Sequence, residues 1–311
     1  MADFILHHYP QSPFAEKARL MLGFKGLNWH SVMIPPVMPK PDLTALTGGY
    51  RRTPVMQIGA DIFCDTALMA RRLEQAKVTP ALFPEGCEAV ASELAQFADQ
   101  VLFQHGVALN FQPKGLAARF AGMPEDVIKG FVADRQQLFA GGTASRLDTA
   151  VALSQWPALM GRLETQLQRN GEFLLGGSPS VADFAHYHPL WFVANNQAVS
   201  AALDGYEAIR GWMKRIGDIG HGVSTKMDAA EAIEVARAAT PEPLRETSFV
   251  SPGGFSKGSA VTVSAVDYGT DPVKGEWVYE DQEEIIIARD DERAGRVHVH
   301  FPRYGFRIDA A

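Results

Sequence analysis

The period of the apolar positions changes along the chain, first mixed, then helical, then strand-like. The opening run Phe4-Ile5-Leu6-His7-His8 reads as a short strand. From Pro13 to Phe24, Ala15, Ala18 and Leu22 share one helical face. Glu16, Lys17 and Arg19 lie on another, and Gly26 stops the helix. A second strand runs from Trp29 to Ile34. The proline-rich run that follows, residues 35–41, predicts an irregular loop. Residues 54–58 and 62–64 read as strands joined by the turn Gly59-Ala60-Asp61, and 66–76 as a helix. The order is β-α-β, then β-β-α.

Beyond residue 84 the pattern becomes helical. Val90, Leu94, Phe97 and Val101 recur as one helix face, and Trp156, Leu159, Leu163 and Leu167 do the same. Ser180-Val181-Ala182-Asp183 reads as a capping box, with Asp183 able to reach back to the N–H of Ser180. An apolar helix follows through Phe184, Leu190, Trp191, Phe192 and Val193. Residues 228–239 form a last, alanine-rich helix. Thr240-Pro241-Glu242-Pro243 breaks it and reads as a linker. After it, alternation at 261–265 and the runs 277–279, 285–287 and 297–301 predict about five short antiparallel strands, as a sheet or barrel. The chain divides at 1–80, 84–240 and 245–311.

Composition narrows the function classes. The 311 residues are 46% hydrophobic and 21% charged, the balance of a globular chain with more than one core. The formal net charge is −7, and only short basic pairs such as Arg51-Arg52 and Arg71-Arg72 occur, so no nucleic-acid partner is expected. No leader-like basic and apolar start is seen, and no apolar run approaches the ~18 residues of a membrane span. Cys64 and Cys87 form no CxxC pair, so a reducing cytoplasm is the expectation.

Three short segments carry candidate chemistry. Ser12-Pro13-Phe14 stands where a strand gives way to a helix. Taken alone, Ser12 is an N-cap with Pro13 in the first turn. The same position offers a partial positive charge and free N–H groups, which lower the pKa of a thiol held there. Thr53-Pro54-Val55 precedes a strand. With a cis Pro54, Val55 would present its N–H and C=O to an extended peptide-like ligand. Asp65-Thr66 opens the next helix, and either residue serves as a cap. Together they offer a carboxylate, a hydroxyl and helix-end N–H groups to an α-amino acid.

In combination these segments resemble the glutathione transferase family. The resemblance spans about residues 3–230 and rests on the run from His8 to Arg19, on Thr53-Pro54-Val55, on Cys64-Asp65-Thr66-Ala67-Leu68 and on the Ser180–Asp183 box. It implies an α/β thioredoxin-like N-terminal domain and an all-α second domain. The small antiparallel β region at the C-terminus lies outside the usual two-domain family plan. By the same resemblance, Ser12 would activate the thiol of glutathione, and Phe14 would help to bind glutathione beside it. Val55, next to cis-Pro54, would bind the cysteinyl backbone, and Asp65 and Thr66 the γ-glutamyl end. Lys40 would meet the glycyl carboxylate. The family pair at the Asp65-Thr66 position is more often Glu-Ser or Gln-Ser. Tyr9 is the rival activator. A cysteine is absent from this position, which argues against members that form mixed disulfides with glutathione. The resemblance further implies a homodimer that uses glutathione as co-substrate against a small electrophile.

Other residues read more plainly. Cys64 is expected in a buried strand and Cys87 in a helix. His186 and His188 do not share a helix face. His298 and His300 do share a strand face, but no third ligand accompanies them in the sequence, so no metal is expected. Phe103, Phe111, Trp191 and Phe192 are either core or the lining of an electrophile pocket. Two other functions stand beside the transferase. One is a non-catalytic binding or assembly protein on the same fold. The other is an apolar-ligand carrier for which glutathione is a bystander.

Overall fold

The structure, a computed structural model, describes residues 3–144 and 146–311. Strand β1 (Phe4–His8) pairs parallel with β2 (Trp29–Met33) and antiparallel with β3 (Val55–Ile58), which pairs antiparallel with β4 (Asp61–Cys64). Helix α1 (Pro13–Phe24) links β1 to β2 and helix α3 (Thr66–Ala76) follows β4, as the apolar period and the caps predict. Two elements were not legible. Helix α2 (Pro41–Thr47) starts directly on the last proline of the 35–41 run. Strand β5 (Ser224–Lys226), all of it exposed, pairs parallel with β2.

Alternation in the strands gives the sheet two covered faces. Phe4, Leu6, Met56 and Phe63 point toward α1, α3 and the helical bundle. Val55, Ile62 and Cys64 point the other way, into a second core with Leu43 and Leu46 of α2. Cys64 is therefore a buried strand residue, as expected.

The bundle comprises α4 (Glu88–Phe97), α5 (Phe103–Asn110), α6 (Pro113–Arg119), α7 (Glu125–Leu138), α8 (Thr149–Asn170), α9 (Val181–Ala194) and α10 (Glu207–Asp218). Cys87 stands just before α4 at its N-cap. A π turn, Ala98–Leu102, links α4 to α5 without a break. The capping box at α9 forms. One carboxylate oxygen of Asp183 accepts from the N–H and Oγ of Ser180, and the other from Leu174 N–H and Trp212 Nε1. Asp183 thus fixes a helix start and the deepest tryptophan at once.

Helix α11 (Ala229–Ala238) returns to the second core. The C-terminal strands are β6 (Ala260–Ala265), β7 (Val273–Glu280), β8 (Glu284–Asp291), β9 (Gly295–Pro302) and β10 (Phe306–Ala310). They pair antiparallel with one another. Among the described residues they do not close into a barrel: β9 lies parallel to β4, and the ten strands form one sheet, ordered β10-β6-β7-β8-β9-β4-β3-β1-β2-β5. No helix among the described residues is long and apolar enough to cross a membrane.

Candidate functional site

Ser12 takes an extended backbone, φ −76° and ψ 121°, and its Oγ accepts the Ala15 N–H at 3.2 Å, which makes it the N-cap of α1. The hydroxyl proton remains available for a further acceptor. Ser12 lines a cavity of about 770 Å³, together with Tyr9, Phe14 and Lys40. Both candidate thiol activators therefore face the same space.

Lys40 is buried at the start of α2, and its Nζ donates to Thr53 Oγ1 at 3.0 Å. Burial pushes its pKa down to about 8. A buried ammonium of this kind is relieved by a carboxylate.

Pro54, Asp65 and Thr66 line a smaller adjoining cavity of about 230 Å³. Phe14, Arg52, Thr53 and Tyr268 line both cavities and form the partition between them. Val55 lines neither. It is fully buried, and its side chain belongs to the second core. The Thr53–Pro54 bond is cis.

Asp65 caps α3, accepting the Ala67 N–H at 2.9 Å. Its φ of 75° is the only positive value at a non-glycine among the described residues. Such a backbone costs about 1–3 kcal/mol and persists where the surroundings enforce it, often at a binding site. Burial raises the Asp65 pKa, although the Arg52 guanidinium at 3.8 Å pulls it down. An incoming ammonium would offset that burial.

Sequence reasoning did not find several neighbours. The π turn brings Asp99 into the smaller cavity, where its carboxylate accepts from Lys17 Nζ at 2.6 Å and His188 Nε2 at 2.9 Å. Burial works against the Asp99 charge, yet Lys17 and His188 hold its pKa below the usual range. Burial pushes His188 down to about 4, so this ring is neutral at neutral pH. His188 also packs on Phe14, 4.4 Å between ring centroids, which ties this cluster to the Ser12 corner. No motif marks Asp99, because it sits inside what reads as continuous helix.

The C-terminal strands also reach the cleft. The β6–β7 loop supplies Asp267 and Tyr268. Arg52 pairs with the Asp267 carboxylate, donates to the Tyr268 carbonyl, and lies 4.0 Å over the Tyr268 ring. The β7–β8 turn adds Gln282 and Glu283, and the β9–β10 turn adds Tyr304 and Gly305, to the smaller cavity. The same β6–β7 loop is bonded to the end of α7, where the Gly269 N–H donates to Leu138 O at 2.6 Å and Tyr268 stacks on Phe139.

The larger cavity is aromatic and basic. Phe103, Phe111 and Phe192 line it and Trp191 does not; Phe120, Phe131 and Phe139 add to the lining. Its charged residues are Lys40, Arg51, Arg52, Arg119, Arg135 and Arg146, with no acid among the lining residues. Arg51 and Arg135 share Asp134. Arg119 makes no ion pair among the described residues and stands 4.7 Å over the Phe192 ring. Burial disfavours its charge.

Known proteins resemble this chain in sequence and fold. The glutathione S-transferase N-terminal domain model matches residues 6–81, and the C-terminal domain model matches residues 125–215. A GST-like protein from Pseudomonas syringae is 48% identical, with all of both chains covered and a TM-score of 0.84. A glutathione S-transferase from Rhodospirillum rubrum F11 is 17% identical over 68% of this chain and 87% of its own, with a TM-score of 0.53. The β-etherase LigF from Sphingobium sp. strain SYK-6 is 13% identical over 69% and 94%, with a TM-score of 0.50. These last two share the fold alone. No curated protein matches the chain. Thioredoxin-like sheet, helical bundle, both domain matches and the full-length relative agree: the chain belongs to the glutathione S-transferase family.

Proposed function

We propose that this protein is a glutathione transferase that activates the glutathione thiol for attack on a small, anionic, aromatic electrophile. The observation that carries the reading is the adjacency of two helix N-termini. Ser12 at α1 and Asp65-Thr66 at α3 open into neighbouring cavities that share one wall. A γ-glutamyl tripeptide laid along that wall puts its ammonium near Asp65 and Asp99, its thiol near Ser12, and its glycyl carboxylate near Lys40. The thiol proton leaves to solvent, and the Ser12 hydroxyl and the α1 N–H groups stabilise the thiolate. The sulfur then forms a bond to the electrophilic carbon, and the leaving group departs with its electron pair. The lining of Phe and Arg side chains, with no acid among them, supports an aromatic acid as the second substrate.

A homodimer is part of this reading. Val90, Phe97 and Val101 on α4 and the π turn are 52%, 39% and 40% exposed, an apolar stripe that a second copy would cover. The setting we infer is cytoplasmic.

The test is an ultraviolet difference spectrum of bound glutathione scanned over pH, beside Ser12→Ala. The wild type should show a thiolate band near neutral pH. Loss of one hydrogen bond to a charged sulfur should raise that midpoint by about one to two pH units. An unchanged midpoint in Ser12→Ala would move the activating role to Tyr9. No glutathione binding at millimolar concentration would favour the non-catalytic binding protein.

A further inference from the structure

One cluster of ligand-type side chains lies outside both cavities. His298 and His300, two apart on β9, point to the same face. On the parallel neighbour β4, Asp61 stands in register with His298. This is the third group that the histidine pair lacks in sequence. Asp61 Oδ1 is 2.9 Å from His300 Nε2 and 3.8 Å from His298 Nδ1, and the three ligand atoms all lie within 4.8 Å of one another. A tetrahedral ion with bonds of about 2.0–2.1 Å has ligand–ligand edges of about 3.3 Å. The two observed separations bracket that edge.

The surroundings orient two of the three ligand groups. Glu284 Oε2 stands 3.2 Å from His300 Nδ1, and a proton there leaves Nε2 free to face Asp61. A carboxylate behind a metal-binding imidazole is the usual supporting contact. The Glu242 N–H donates to Asp61 Oδ2 at 2.8 Å, which leaves Oδ1 for the cluster. His298 Nδ1 is buried and makes no hydrogen bond among the described residues. A bridging imidazolium, His300 between Asp61 and Glu284, accounts for one ring. It leaves the buried nitrogen of the other without a partner, and such a group is costly.

We propose that Asp61, His298 and His300 bind a divalent transition-metal ion. Two imidazoles and one carboxylate suit zinc and its neighbours better than magnesium or calcium, and three protein ligands leave a position open. The ion would sit on the β4–β9 ladder, the junction, among the described strands, between the N-terminal and the C-terminal strands. It would pin that seam.

The test uses the full chain, free of any affinity tag and stripped by a chelator. Zn²⁺ is titrated calorimetrically into the wild type, His298→Gln and Asp61→Asn. The wild type should take up one equivalent and unfold at a higher temperature when loaded. His298→Gln loses no hydrogen bond at Nδ1, so it should stay folded and bind at least about a hundredfold more weakly, since even supporting contacts are worth 10–100-fold. Asp61→Asn should weaken binding likewise. Absence of stoichiometric uptake by the wild type would overturn the proposal and leave the imidazolium bridge. Equal affinity in the wild type and both variants would also overturn it.

Discussion

At the scale of single residues, most cleft charges are paired, and a few cations have no carboxylate partner among the described residues. Arg119 is the clearest, half-buried at the end of α6 with an aromatic ring beneath it and no carboxylate beside it among the described residues. A guanidinium in that setting favours an anion. A chloronitrobenzoate should therefore be conjugated with a higher kcat/KM than its methyl ester, by about tenfold or more, the value of one hydrogen bond to a charged group. Arg119→Leu should bring the two substrates together by slowing the acid alone. Equal rates for acid and ester in the wild type would sink the anionic-substrate reading. The positions of Ser12 and Asp65 as N-caps were legible because caps sit at helix starts, and helix starts are written in the apolar period. Arg119, Asp99 and Asp267 were not legible. Each is an ordinary surface-type residue until another element buries it.

Elements differ in how much of themselves the sequence encodes. Helices α1 and α3 have a cap, a period and a partner strand, and their bounds follow. The α4 stripe Val90, Leu94, Phe97 and Val101 sets a helical period, yet Ala91, Ala95, Ala98 and Leu102 are the residues turned to the core. Both faces are apolar, and the small one packs closer to α9, so periodicity gives the helix but not its rotation. β5 has three exposed residues and no alternation to read. The β6–β7 loop shows how an element far along the chain finishes the cleft. Its contact with residues 139–144 leaves no room for a side chain at Gly142, where an added Cβ would stand 1.7 Å from the Asp267 carbonyl oxygen. Gly142→Ala should push the loop off α7 and carry Asp267 and Tyr268 away from Arg52. We expect a loss of about 1–3 kcal/mol in stability, the usual cost of overpacking, and a several-fold rise in KM for glutathione. Unfolding by urea and initial-rate kinetics read the two effects separately. A variant as stable as the wild type, with unchanged KM, would show that the loop does not shape the site.

For the whole molecule, the question is whether the C-terminal strands are an appendage or part of the glutathione S-transferase fold. Read locally, they look separable, because a proline-rich linker precedes them and their pairing is antiparallel and sequential. The β4–β9 junction is invisible in sequence, since it joins residues 61–63 to 298–300 in parallel and no local pattern encodes that register. The packing argues against an appendage. Leu43, Leu46, Tyr50, Val55 and Ile62 share one core with Val263, Ile285, Ile287, Val299 and Phe301. Fully re-exposing five such side chains at about 1.5–3 kcal/mol each amounts to on the order of 10 kcal/mol. That is an upper bound, because α2 and α11 still cover part of them, but it rivals the whole stability of a typical domain, about 5–15 kcal/mol. The cut also turns β4 into an open edge, a template for pairing with other chains. A chain ending at Thr240 should therefore aggregate, or run as a broad high-mass species in size exclusion without a cooperative melt. If it instead melts cooperatively near the wild-type temperature and binds glutathione with unchanged affinity, the second core is dispensable and the strands serve some other end. Folded protein with weakened glutathione binding would separate the two roles, leaving the strands needed for the cleft wall at Arg52 but not for the sheet.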